Sequence, residues 1–215
     1  KLVPPLTYKE ALLRESILGA EQRALDKESY VTARKIGNVW EKLWWPAAAK
    51  MGLSIDQTEH QSIQMTNKMV DYCGYDVSGP TYETMGIDVQ SEIKLGECIV
   101  ETQMDLVKMP LFEGRGGVFL IDFKRKGLTN GRAANDIDVL AHMYACNGLE
   151  RPLTYVSIDI AENLREATAT STYYEPQDLE KVGKTLNYLA EGIHKGIYYQ
   201  YPWMCEHCDK CRKSS

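Results

Sequence analysis

The sequence predicts an α+β fold, a mixed central sheet of about four strands flanked by helices. Three observations carry this expectation. Residues 7–72 show apolar positions at helical spacing. A meander of short strand-like segments follows from residue 87. From residue 137 to 195 a helical pattern, a strand pattern and a second helical pattern succeed one another.

The chain has 215 residues, enough for one domain over 1–195 with a sizeable core. A Cys-rich tail at 196–215 is expected to pack on it. No apolar run approaches the roughly 18 residues of a membrane span, and no signal peptide is visible. Six Cys, three of them crowded at one end, do not resemble a secreted disulfide framework. They suit a reducing, cytoplasmic setting. The net charge of −5 argues mildly against nucleic acid, but its distribution does not. From Lys108 to Arg132, six cations stand against Glu113 and Asp122. Such a basic rim suits a polyanion.

Thr7-Tyr8-Lys9-Glu10 is a capping box, so a helix should run from there to about Asp26, with Leu12, Leu13, Ile17 and Leu18 inward. A second helix starts near Thr32 and carries Ile36, Val39, Trp40, Leu43 and Trp44; Pro46 should kink or restart it. A third spans about Asp56 to Tyr72. Ser78-Gly79-Pro80 breaks the helical character. Strands are expected at about Ile87 to Leu95, Cys98 to Val107 and Val118 to Lys124, with a Gly96-Glu97 turn between the first two. A helix with Ile137, Leu140, Ala141, Tyr144 and Ala145 on one face follows. Then come a strand from Leu153 to Ile160 and a helix from about Glu175 to Lys195.

The third strand carries the chemistry. Val118-Phe119-Leu120-Ile121 is an apolar run that ends abruptly in Asp122-Phe123-Lys124-Arg125-Lys126. Alternation puts Asp122 and Lys124 on one face and Phe123 on the other. A carboxylate and an ammonium at the end of a core strand make either a buried ion pair or a site, because an unpaired buried charge is costly. If the second and third strands are neighbours, Asp105 and Asp122 come close. A divalent cation relieves the repulsion between two carboxylates, and hard ions prefer oxygen donors. Glu41, beside the apolar face of the second helix, is a third candidate acid.

This order of residues resembles the PD-(D/E)XK nuclease superfamily, most closely its RecB-type and phage lambda-exonuclease-type branches. Gly37 and Glu41 match the helical Gly-x-x-x-Glu motif, Asp105 the strand acid, and Ile121-Asp122-Phe123-Lys124 the apolar strand ending in Asp-x-Lys. The Gln-x-x-x-Tyr helix is matched only in part, with Tyr144 in place but Leu140 where Gln is usual. The resemblance implies a restriction-endonuclease-like core and a metal-dependent deoxyribonuclease, an exonuclease or a single-strand or end-processing enzyme. It implies Mg²⁺ or Mn²⁺ held by Glu41, Asp105, Asp122 and the Phe123 carbonyl, with Lys124 positioning the attacking water. Arg125, Lys126 and Tyr144 would face DNA, and recombination or replication proteins would be partners. The alternative is a nucleic-acid-binding module that keeps the fold without catalysis, which Leu140 favours.

Cys205, Cys208 and Cys211 form a Cys-x-x-Cys-x-x-Cys run, a spacing that converges on one soft metal or cluster. Cys73, Cys98 or Cys146 would complete an iron–sulfur cluster, and His207 a zinc site. Tyr198, Tyr199, Tyr201 and Trp203 just before it either pack around that site or stack on single-stranded bases. His60, His142 and His194 stand alone and carry no expected role.

Overall fold

Thr7 caps the first helix as its sequence anticipates: its hydroxyl accepts from the Glu10 amide, and the Glu10 carboxylate accepts the Thr7 amide at 2.8 Å. The computed structural model describes residues 6–27, 29–111, 117–124, 137–146 and 151–196. In order, the elements are α1 (Tyr8–Asp26), α2 (Ala33–Lys50), α3 (Ile55–Gly74), a 3₁₀ turn at Asp76–Ser78, β1 (Tyr82–Leu95) and β2 (Cys98–Pro110). Then come β3 (Val118–Lys124), α4 (Ile137–Ala145), β4 (Leu153–Asp159), β5 (Thr168–Tyr174) and α5 (Pro176–His194).

The fold is α+β. The strands form one mixed sheet in the order β1-β2-β3-β4-β5. All neighbours are antiparallel except β3 and β4, which are parallel. A parallel pair needs a long crossover, and α4 lies within it.

Each face of the sheet has its own core. Ile121 and Phe123 of β3 join Leu13, Ile17, Trp40, Trp44, Met65 and Met69 of α1, α2 and α3. Val118 and Leu120 join Val139, Met143, Leu179 and Leu186 of α4 and α5. Strand alternation alone divides β3 between the two cores, which leaves it apolar on both faces until Asp122.

Two details depart from the sequence expectation. The strand β5, Thr-Ala-Thr-Ser-Thr-Tyr-Tyr, was not anticipated. It is an edge strand paired only with β4 and mostly exposed, so it lacks the apolar alternation that marks a half-buried strand. Pro46 does not restart the helix: α2 runs through it to Lys50. The tail from residue 197 onward, including its aromatic run, lies outside the described residues.

Gly117 is needed for close approach. A Cβ built there would lie 1.5 Å from the carbonyl oxygen of Pro152, the same oxygen that accepts the Val118 amide at 2.8 Å. The obstacle is backbone, so β3 and β4 would have to separate. Gly117→Ala is expected to cost about 2 to 3 kcal/mol and to lower the thermal midpoint by about 4 to 12 °C. Circular dichroism melting checks this, and an unchanged midpoint contradicts it.

Candidate functional site

β2 and β3 pair over only three positions: Lys108 with Phe119, Val107 with Leu120, and Leu106 with Ile121. Beyond Leu106 and Ile121 the ladder stops. The next two residues are Asp105 and Asp122, and their side chains take over from the ladder. The Asp105 amide donates to Oδ1 of Asp122 at 3.3 Å. The Phe123 amide donates to Oδ2 of Asp105 at 2.6 Å. Each carboxylate thus satisfies a main-chain N–H that the opening fork would leave orphaned.

The fork coincides with a change of face. Leu106 of β2 and Ile87 of β1 pack with the α1–α3 core, whereas Met104 and Val89 pack with the α4–α5 core. Residues two apart on a regular strand would share a face. Between them lie Asp105 and, opposite it, Asp88, which adopts φ +53°. That left-handed conformation is tolerated by Asp better than by most residues. Arg14 of α1 bridges the pair, with Nη2 at 2.8 Å from Asp88 Oδ1 and Nε at 2.6 Å from Asp105 Oδ1. The Gln103 amide adds a bond to Asp88 at 2.6 Å.

A cleft of about 360 Å³ opens at the fork, lined by Leu6, Ala11 and Arg14 on one side and Gln103, Asp105, Asp122, Phe123, Lys124 and His142 on the other. Lys124 points the same way as Asp122, with its ammonium 3.5 Å from Asp122 Oδ2. The Phe123 ring turns the opposite way and packs edge-on against Tyr72, so Phe123 meets Asp105 through its main chain. The hydroxyl of Tyr155 donates to Asp122 Oδ2 at 2.7 Å. The His142 ring stacks on Tyr155 at 6.0 Å, and its Nδ1 lies 3.5 Å from the same Asp122 oxygen.

Burial pushes the Asp105 carboxyl up from its ordinary value, and Asp122 adds to this. The bonds from Arg14 and the Phe123 amide oppose the rise without cancelling it. Asp88 moves the other way, held low chiefly by Arg14 and then by Gln103.

Asp105, Asp122, Phe123 and Lys124 are therefore brought together. Glu41 is not. It is exposed and absent from the cleft lining, because Ile36, Val39, Trp40 and Trp44 fix the rotation of α2 against α1 and α3. Trp40 donates to Ser62, and Trp44 donates to the Thr58 carbonyl. Tyr144 is also placed elsewhere. Its ring crowds Gly183 of α5, where an added Cβ would be 2.4 Å from Cε2. Lys108, counted above in the basic rim, is buried and paired with Glu21 at 2.6 Å. Glu21 also accepts from Tyr72 and Thr84, so this second cavity, of about 490 Å³, is floored by a satisfied ion pair. Arg115, Arg125, Lys126, Arg132 and the cysteines Cys205, Cys208 and Cys211 lie outside the described residues. Cys73, Cys98 and Cys146 are half-buried free thiols; burial pushes Cys73 and Cys146 up to about 11.

Sequence reasoning missed Arg14, Asp88, Tyr155 and His142. A signal for Arg14 existed: it stands one turn after buried Glu10 and two turns before buried Glu21 on α1. His142 sits among buried Val139, Leu140, Ala141 and Met143 of its helix. Tyr155 and Asp88 carried no signal beyond strand alternation.

The donors suit a hard or borderline divalent ion in part. Two carboxylates and a buried imidazole nitrogen without a hydrogen-bond partner face one cleft. Arg14 already neutralises Asp105, and among the described residues no group of three or more His, Cys, Asp or Glu side chains is set to hold an ion as it stands.

Removing the Arg14 charge leaves Asp105 buried beside Asp122 with no cation on it. In Arg14→Met the Asp105 carboxyl should rise further. A carboxyl raised above its unfolded value favours the fold at acid pH and loses that contribution as pH climbs through the folded value. Arg14→Met is thus expected to cost about 1 to 3 kcal/mol at pH 7 and clearly less near pH 4. Urea titrations of both proteins at the two pH values check the sign; a deficit that grows toward acid pH contradicts it.

No helix of the described residues is long and apolar enough to cross a membrane. No protein-family model matches the chain, and no curated protein matches it.

Proposed function

We propose that the chain is a divalent-metal-dependent nuclease that hydrolyses phosphodiester bonds in DNA. The observation that carries this reading is the meeting of Asp105 and Asp122 at the β2–β3 fork, with Lys124 two residues on and facing the same cleft. This adjacency is what the resemblance to PD-(D/E)XK nucleases requires of an acid on one strand and Asp-x-Lys on the next.

Asp122 and Asp105 would hold Mg²⁺ or Mn²⁺. The bound ion supplies Lewis-acid polarisation of a phosphoryl oxygen and a more acidic water. The chain's own residues do the rest. Tyr155 fixes the rotamer of Asp122 through Oδ2. The Phe123 amide and Arg14 fix that of Asp105. Lys124, held beside Asp122 and 5.5 Å over the Tyr155 ring, orients a water or stabilises negative charge as it develops on the phosphate.

A second reading has one observation in its favour. Arg14 sits on Asp105 in the way a cation would, which suits a module that binds nucleic acid without cutting it. Hydrolysis of linear single- and double-stranded DNA, with and without Mg²⁺, separates the two. Cleavage that needs the metal and falls at least about 100-fold in Asp122→Ala is expected. Equal activity in both proteins removes the nuclease assignment. Binding without cleavage, unchanged in Asp105→Asn, establishes the second reading.

A further inference from the structure

His142 is 2% exposed, lies on α4 and plays no part in the chemistry above. Its Nε2 is 3.0 Å from the main-chain carbonyl of Gln103. A carbonyl only accepts, so Nε2 carries the proton. In the neutral ring Nδ1 is left with a lone pair. That atom is buried, has no hydrogen-bond partner among the described residues, and faces Asp122 Oδ2 across 3.5 Å. Two electron-rich atoms at this separation repel each other unless a proton or a cation lies between them.

From this geometry we infer that His142 is a metal ligand, binding through Nδ1 to the same ion as Asp122. The inference rests on the metal-dependent reading above and adds to it a nitrogen donor and an ion preference. Two donors each about 2.1 Å from a shared ion lie about 3 to 3.5 Å apart, which is the separation found. The Nε2–H bond to a main-chain carbonyl is the outer contact that sets the tautomer of a ligating histidine. Stacking on Tyr155, which itself bonds to Asp122, holds the ring beside that carboxylate. His142 enters from α4 and supplies the third side chain that Glu41, turned outward on α2, does not. An imidazole in the set favours Mn²⁺, and borderline ions such as Co²⁺, over Mg²⁺.

Pulsed electron paramagnetic resonance of the full chain with substoichiometric Mn²⁺ tests this without an activity assay. The wild type is expected to show modulation from a directly bound ¹⁴N, replaced by the ¹⁵N pattern when the protein is made with ¹⁵N-histidine. His142→Gln should lose the nitrogen signal and bind Mn²⁺ at least about tenfold more weakly. Asp122→Asn should lose it too. Mn²⁺ bound to the wild type and displaced by Asp122→Asn, but with no nitrogen coupling, overturns the ligand role of His142 and leaves the carboxylate site standing. A nitrogen signal that survives Asp122→Asn belongs to another site and also overturns it. A wild type that binds no Mn²⁺ overturns this inference and the metal-dependent reading together. Because the label marks all four histidines, the labelled wild-type spectrum together with its loss in Asp122→Asn decides the matter even where His142→Gln fails to fold.

Discussion

The fork between β2 and β3 is the constraint on which the site depends. Once the ladder ends at Leu106 and Ile121, each strand still has main-chain donors to satisfy in a buried setting. Asp105 and Asp122 meet that need, each accepting an amide from the other strand. The carboxylates close the sheet locally and, by the same placement, gather two negative charges at the mouth of a cleft. Structure and candidate chemistry therefore use the same atoms. On the far side of the opening, His142 takes the Gln103 carbonyl, so α4 continues the bonding of β2 where β3 has left it.

Concentrated charge of this kind has to be compensated. Arg14 answers Asp105 and Asp88, while Lys124 and Tyr155 answer Asp122. Burial still wins at Asp105, whose carboxyl remains above its ordinary value. The compensation comes from α1, β3 and β4, so the orientation of α1 matters to the site. Its N-terminus is tied to the loop after β4: Glu10 accepts the Glu162 amide at 2.7 Å, and Lys9 pairs with the Glu162 carboxylate. A helix anchored there lays Arg14 across the end of the sheet.

The second charged centre differs in kind. Glu21 and Lys108 are both nearly fully buried, and the Glu21 oxygens are taken by Lys108, Tyr72 and Thr84. It braces α1 and α3 against the strands. A buried pair of this sort specifies an arrangement more than it stabilises one, because removing two ions from water costs about as much as their attraction returns. The contrast with the fork is physical: the Lys108 ammonium that answers Glu21 is itself buried, whereas Arg14 and Lys124, which answer the fork carboxylates, are partly exposed in a cleft.

Much was legible from residue order. The capping box of α1, the meander, the apolar run of β3 and the shared direction of Asp122 and Lys124 all follow from local periodicity, and local periodicity is a property of the sequence. The edge strand β5 was not legible, since its exposed Thr and Ser residues pair through the main chain without an apolar face. Nor was the rotation of α2. Glu41 stands beside Trp40 in the chain, but the packing of Trp40 and Trp44 against α1 and α3 turned it to solvent. The same holds for Arg14, Tyr155 and His142, which reach Asp105 and Asp122 from 91, 33 and 20 positions away. The sequence by itself determined which residues alternate or repeat along each element. Only the tertiary structure decided where two strands part, because that depends on the helices packed across both faces of the sheet.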